Sequence, residues 1–500
     1  MSEAIALSLI SHTNAGKTTL ARTLLGRDVG EVRDAAHVTS ESTPYPLIET
    51  PAGDALILWD TPGFGNSARL ARRLAREGDP IGWFLTQIWD RFRDRALWHS
   101  QMAARTVREQ ADVVLYLVNA TEAPADAGYL QPELDVLAWT GKPVIVLLNQ
   151  TGPPRPVADE RGDEVRWRTA LGSRPFVGAV ITLDAFARCW VQEIALLDVI
   201  RDVLPAAKRP VFGRLAAAWH ARHMARFEQA IEALAAPIAR AACDREPLPA
   251  EDLKATLRDV GRTLGIGSDD RDGAKTRAAQ ALAARLAADV RASTDELIAI
   301  HQLRGRAARQ VLEGLAAAVS VDAPLPAGKG AMIGGVVSGA LTGVAVDLAA
   351  GGLTFGAGLL TGAVLGALGG AGVVHGVNVA RGKTGAALRW DDAFLNRQVA
   401  AALLLYLAVA HYGRGRGDWV ADEYPAHWLP LVAGIVDARG DALRAIWSRR
   451  EAACDVYAIA SALRGPLADA AYEALQALYP GTLIARQDPA TPAPTSNGSQ

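Results

Sequence analysis

The sequence predicts an α/β fold: a mainly parallel sheet in residues 1–205, followed by a mostly α-helical region that carries a glycine-rich hydrophobic helical hairpin. Three observations predict it. Short apolar runs at residues 4–10, 45–50, 55–60, 113–119, 144–149 and 176–181 alternate with helical stretches, as the buried strands of a parallel sheet do. The first run leads through a short polar loop into a helix start. Beyond Val211 the chain turns rich in Ala, Leu, Arg and Glu, with no strong strand runs.

The loop after the first run reads S-H-T-N-A-G-K-T, from Ser11 to Thr18. Main-chain N–H groups in such a loop, with the positive end of the following helix, surround a nucleotide β-phosphate. Lys17 reaches the β- and γ-phosphate oxygens as a mobile cation, and the Thr18 hydroxyl takes one place in a magnesium shell. Asn14, Ala15, Gly16 and Thr19 complete the nucleotide-binding positions of the loop. Ser11 stands where G-x-x-x-x-G-K-[ST] has its first glycine.

Residues 55–60 end in Asp60-Thr61-Pro62-Gly63, a D-x-x-G directly after a strand. Asp60 is expected to hold magnesium through water, and the Gly63 N–H to meet the γ-phosphate. Between these motifs lies the polar segment 37–43, where Thr39, or second Thr43, is the candidate to close over magnesium and γ-phosphate. Residues 64–110 exceed what a minimal switch and helix require. Trp83, Phe84, Trp89, Phe92 and Trp98 recur there at roughly helical spacing, read either as packing or as a partner surface.

These motifs resemble the Era and TrmE type of P-loop GTPase. More narrowly, the chain is similar to bacterial GTPases with a C-terminal domain of unknown function and a glycine-rich hydrophobic segment. The resemblance is carried by T-N-A-G-K-T, D-T-P-G and the strand ending L-L-N-Q-T-G. It implies GTP hydrolysis to GDP and phosphate with Mg2+. It also implies a base-reading role for Asn149 and Gln150, which stand in an N-K-x-D motif written here N-Q-T-G. Gly152 replaces the carboxylate that accepts from guanine, so an ATPase of relaxed base specificity stays open; Asp184 is the candidate substitute or, alternatively, a helix N-cap. Phe64 follows Gly63 where many GTPases place a water-orienting glutamine, which predicts slow unaided hydrolysis. In the resembling GTPases an asparagine at the Asn14 position helps hold an activating K+; the other reading of Asn14 is local loop stabilisation.

Residues 206–325 read as amphipathic helices interrupted at Pro247, Pro249 and 265–273. His220 and His223 share a helix face there without a partner set for a metal. In residues 326–383 the ionisable side chains between Lys329 and Arg381 are Asp347 and His375, and glycines recur every fourth residue at 335, 339 and 343 and from 358 to 370. The apolar stretches approach or exceed the roughly 20 residues that cross a bilayer, and the glycine stripes suit close helix–helix contact in lipid. A hairpin turning near residues 347–352 keeps Lys329, Arg381 and Lys383 on the cytosolic side. The expectation is a cytoplasmic protein held at the inner membrane through residues 330–380, with a buried soluble hairpin as the alternative. Helical patterns resume over residues 384–482, where the apolar run 399–410 is short for a span, and residues 483–500 read as a disordered tail.

The 500 residues carry a net charge of −2, which argues against broad phosphate neutralisation and hence against nucleic acid as a partner. Lipid, self-association or a protein effector is expected instead, and a nucleotide-dependent structural or membrane-remodelling oligomer is the rival to a slow switch. Cys189, Cys243 and Cys454 lack paired spacing and read as reduced core thiols. No signal peptide is read at the start.

Overall fold

The computed structural model describes residues 3–12, 15–28, 43–61, 63–64, 67–74, 95–152, 154–186, 189–247, 271–303, 377–382, 385–413, 425–451 and 454–482. Asn14, Thr39, the aromatic positions 83–92, residues 326–376 of the expected hairpin and the tail 483–500 lie outside them.

Strands β1 (Ala4–Ser11), β2 (Thr43–Glu49), β3 (Ala55–Asp60), β4 (Val113–Asn119), β5 (Val144–Asn149) and β6 (Val177–Thr182) form one sheet in the order β2-β3-β1-β4-β5-β6. All pairings are parallel except β2 with β3. The central strands are buried along almost their whole length because helices cover both faces, which explains their unbroken apolar runs. β2 is one of the two edge strands and alternates in burial. It tolerates Pro44 and Pro46, which have no N–H to donate.

Helices α1 (Lys17–Leu25), α2 (Ser67–Leu74), α3 (Arg95–Gln110), α4 (Leu130–Thr140), α5 (Val157–Leu171) and α6 (Trp190–Val203) follow the strands. Leu20 and Leu24 of α1 pack with Leu196 and Ile200 of α6 on one face of the sheet. Leu70, Leu97, Val107, Leu137 and Trp167 fill the other. Each fully buried side chain of this kind contributes roughly 1.5–3 kcal/mol.

The sheet unit does not end cleanly at residue 205. Helix α7 (Arg209–Cys243) is 35 residues long; its Val211, Phe212, Leu215 and Trp219 belong to the sheet core. Its later residues, from Phe227, enter a second core with α8 (Arg271–Ile300), α9 (Asp392–Ala410), α10 (Trp428–Asp437), α11 (Gly440–Ser448) and α12 (Val456–Leu478). One helix thus serves both units.

Two expectations of helix are corrected. Residues 377–382, the end of the expected hairpin, form strand β8 (Val377–Gly382), and β9 (Gly385–Trp390) occupies the start of the segment read as helical. β9 pairs antiparallel with β8 and with the short β7 (Glu246–Pro247). The alternating Leu388 and Trp390, both buried under the helices, carry a period of two that a helix cannot use. Helix α9 is apolar enough to cross a membrane by length, with a mean hydropathy of 1.6, yet 72% of that window is buried inside the protein. It is the central core helix of the C-terminal unit.

The reading of three reduced thiols is also corrected. Cys243 at the end of α7 and Cys454 just before α12 form a disulfide, with Cα atoms 5.3 Å apart across a sequence separation of 211. Cys189 is a free buried thiol.

Candidate functional site

The site lies at the C-terminal ends of β1, β3 and β5. The loop after β1 reaches Gly16 in a left-handed conformation, φ +85°, which only glycine adopts without strain. A Cβ there would also stand 2.6 Å from Asn149 Nδ2, so the loop and the β5 end close on each other. Ser11, in place of the first consensus glycine, is the last residue of β1, and its hydroxyl donates to His12 O at 2.6 Å.

Lys17 opens α1 with its side chain 10% exposed, and its Nζ lies 4.0 Å from Asp60 Oδ1. Thr18 Oγ1 donates to Asp60 Oδ2 at 2.9 Å. Burial pushes the Lys17 ammonium down in pKa and the Asp60 carboxyl up, each opposed by attraction to the other. Asp60 Oδ1 is buried with no hydrogen-bond donor among the described residues. A hydroxyl and a carboxylate with a spare buried oxygen are the hard oxygen donors that Mg2+ takes, so the residues present fit the ion. Ala15 of the loop is buried, and Thr19, in the first turn of α1, is half-buried. Thr43, the second choice to Thr39, is the first residue of β2.

Gly63 packs against the loop: a Cβ on it would meet Ser11 O at 2.9 Å. The segment is anchored by Thr61, whose hydroxyl donates to Leu9 O of β1. Phe64 is fully buried among Leu70, Leu97 and Val107 and presents nothing to the site.

At the base end, Asn149 is fully buried. Its Nδ2 donates to Ala15 O at 2.7 Å, and its Oδ1 accepts from Ala185 N at 2.8 Å. It therefore positions two loops. Gln150 has φ +62°, and its Nε2 lies 3.9 Å from where a Cβ of Gly16 would stand, against the phosphate loop. Asp184, 1% exposed, accepts through Oδ2 from Thr151 Oγ1 at 3.0 Å and Gly152 N at 3.3 Å, and through Oδ1 from Phe186 N at 2.7 Å. Its carboxylate braces the two base-side loops.

Two contributors were missed in the sequence. His12 Nδ1 lies 2.8 Å from Glu133 Oε1, while Tyr116 Oη donates to Glu133 Oε2 at 2.7 Å and His12 stacks on Tyr129 with centroids 4.0 Å apart. Burial raises the Glu133 pKa; the His12 and Tyr116 contacts oppose that. Thr23 of α1 donates to Ala185 O at 3.1 Å. The one signal in the sequence was a lone acid, Glu133, inside an otherwise apolar helix face. His223, read without a partner set, meets the buried Glu193 of α6 at 3.1 Å. Among the described residues no group of three or more His, Cys, Asp or Glu could hold a metal.

Two family models match the chain. Residues 7–150 match a domain described as a 50S ribosome-binding GTPase, and residues 168–454 match a domain of unknown function, DUF3482. No curated protein matches. A variant of Aquifex aeolicus Era bound to GDP and aluminium fluoride is 19% identical at a TM-score of 0.31, the match covering 41% of this chain and 58% of that one. Era in complex with MgGDPNP and a segment of 16S ribosomal RNA is 20% identical at 0.30, with 41% and 58% covered. The chain thus spans under two thirds of the length of these structures. The DUF3482 match covers more than half of the 500 residues, and the chain belongs to that family, with the match to the GTPase domain lying ahead of it in residues 7–150.

Proposed function

We propose that the protein hydrolyses GTP to GDP and phosphate in a Mg2+-dependent reaction that is slow unaided, and that it acts as a membrane-associated switch. The observation that carries the enzymatic part is the cluster of Lys17, Thr18 and Asp60 at the mouth of the phosphate loop. Thr18 and Asp60 would hold the magnesium ion, which when bound offsets charge on the β- and γ-phosphates. Lys17 adds a desolvated cation at the same oxygens, where low dielectric strengthens it. The Gly63 N–H is the candidate donor to the γ-phosphate. Water attacks in line, the bond to the β–γ bridging oxygen breaks, and GDP leaves.

Slow turnover follows from Phe64, whose ring is in the core and orients no water. Activation by K+ through Asn14 is the proposed remedy. Guanine selectivity is proposed from the family description alone, since Gly152 carries no side chain and Asp184 is engaged by main chain. The membrane part rests on the composition of residues 326–376; lipid on the cytoplasmic face of the inner membrane, self-association or a protein effector fits a near-neutral chain better than nucleic acid does.

The test is hydrolysis by the full chain with GTP and ATP, with EDTA, in KCl against NaCl, and in Lys17→Ala. Expected are Mg2+-dependent GTP turnover, higher in KCl, and its loss in the variant. Turnover that survives Lys17→Ala would remove the assignment; equal rates in KCl and NaCl would remove the K+ role. Co-sedimentation with anionic liposomes, with and without residues 326–383, tests the membrane part: equal sedimentation of both chains refutes it.

A further inference from the structure

The loop on the base side of the site is fastened to α9 and the residues just after it at two points, and phosphate chemistry requires neither. After β6 the chain passes through Leu183, Asp184, Ala185 and Phe186, and reaches Cys189 at the N-cap of α6. The first point lies just past the end of α9. Gly413 N donates to Phe186 O at 3.1 Å. The two backbones are so close that a Cβ on Gly413 would stand 2.1 Å from Ala185 O, 2.7 Å from Ala185 C and 2.8 Å from Phe186 C. The second point lies within α9, where Tyr406 Oη accepts from Trp190 Nε1 at 3.1 Å; Trp190 is the first residue of α6. One face of the segment is therefore held by α9 and by the residue three positions past its end.

Its other face is built into the nucleotide site. Ala185 N donates to Asn149 Oδ1 at 2.8 Å, and Ala185 O accepts from Thr23 Oγ1 at 3.1 Å. Asn149 Nδ2 in turn holds Ala15 O of the phosphate loop at 2.7 Å. Thr23 sits on α1, the helix that Lys17 and Thr18 begin. The Ala185 carbonyl thus lies between the nucleotide-binding unit and the end of α9. What Gly413 would strike is main chain, not the end of a flexible side chain, so no rotamer change relieves a clash there; the backbone has to move.

We propose that Gly413 is a positioning residue for the base-side loop, and that the placement of α9 sets how long a guanine nucleotide stays bound. The proposal rests on the GTPase reading above and adds a role for α9: its C-terminal end backs the base-side loop. Coupling of this kind is reciprocal. A ligand or surface that shifts α9 changes nucleotide affinity by the factor by which nucleotide changes the affinity for it.

The experiment uses the full chain loaded with a fluorescent GDP analogue, whose release is followed after a chase with excess GDP. Gly413→Ala is expected to release it at least tenfold faster, with far-ultraviolet circular dichroism unchanged and single-turnover hydrolysis of preloaded GTP within twofold of wild type. A merely structural defect would move both rates. Release within twofold of wild type in a folded variant overturns the proposal. Hydrogen exchange on the wild-type chain decides it without a substitution: GDP saturation should slow exchange in residues 405–413 at least fivefold, and unchanged exchange at saturation overturns it. A wild-type chain that binds no guanine nucleotide removes the GTPase reading and this proposal together. A wild-type chain that binds while Gly413→Ala and exchange stay unchanged removes this proposal alone.

Discussion

His411, at the C-cap of α9, gives the stability of the protein a pH dependence that can be worked from the structure. The ring is 4% exposed. Its Nδ1 lies 2.6 Å from Leu407 O, so Nδ1–H donates, and the buried Nε2 has no hydrogen-bond partner among the described residues. The ring packs on Trp428 at 4.8 Å and stacks on Tyr479 at 5.6 Å, between α10 and the end of α12. Burial lowers its pKa from 6.5 to about 4, with a smaller contribution of the same sign from His427 and an opposing one from Leu407 O. As pH falls, the unfolded chain takes up this proton first, so the folded state loses stability between about pH 6.5 and pH 4. The loss reaches about 3 kcal/mol over the whole window, and about 1.4 kcal/mol by pH 5.5, before most carboxylates titrate. Urea unfolding at pH 7.5, 6.5 and 5.5, read by tryptophan fluorescence, measures it in wild type and in His411→Phe. The variant should be about 1 kcal/mol less stable at pH 7.5, having lost the bond to Leu407 O. By pH 5.5 it should match or exceed wild type. Two stability curves that run parallel from pH 7.5 to 5.5 would refute the assignment to His411.

Asn149→Ala removes the donor to Ala15 O and the acceptor for Ala185 N, both buried. At roughly 1–3 kcal/mol for a buried group left unpaired, GDP affinity should fall at least tenfold by titration, and unchanged affinity would show that the two loops hold their places without it. Asp184→Asn turns an amide NH2 toward donors that now meet a carboxylate, so GTP and ATP affinities should fall together; a loss confined to GTP would restore a base-reading role. The Cys243–Cys454 bond closes a loop with a separation of 211, for which chain entropy sets about 5 kcal/mol and measured bridges typically give 2–4 kcal/mol. Reductant should therefore lower the melting midpoint of wild type and leave Cys454→Ser unmoved. A wild-type midpoint that ignores reductant, with three titratable thiols, would contradict the bridge.

The phosphate end was readable because its parts are contiguous in the chain. Gly16, Lys17 and Thr18 come within seven residues of the end of β1, Asp60 ends β3 with Gly63 three residues on, and the runs at 55–60, 113–119 and 144–149 match β3, β4 and β5 because strands covered on both faces stay apolar throughout. The parts that were not readable depend on residues far apart in sequence. His12 meets Glu133 across 121 positions, and Cys243 meets Cys454 across 211. Periodicity reports which face of an element is buried and never what buries it. Helix α9 shows the consequence most directly: its hydropathy suits lipid and protein interior alike, and only its 72% burial separates them. Length and hydropathy therefore carry little weight for residues 326–376, and the membrane proposal rests there on the glycine spacing. Gly413 was the least readable of all. It is one of 47 glycines, and what makes it matter is the approach of the Ala185 and Phe186 backbone, a constraint set wholly by another part of the chain.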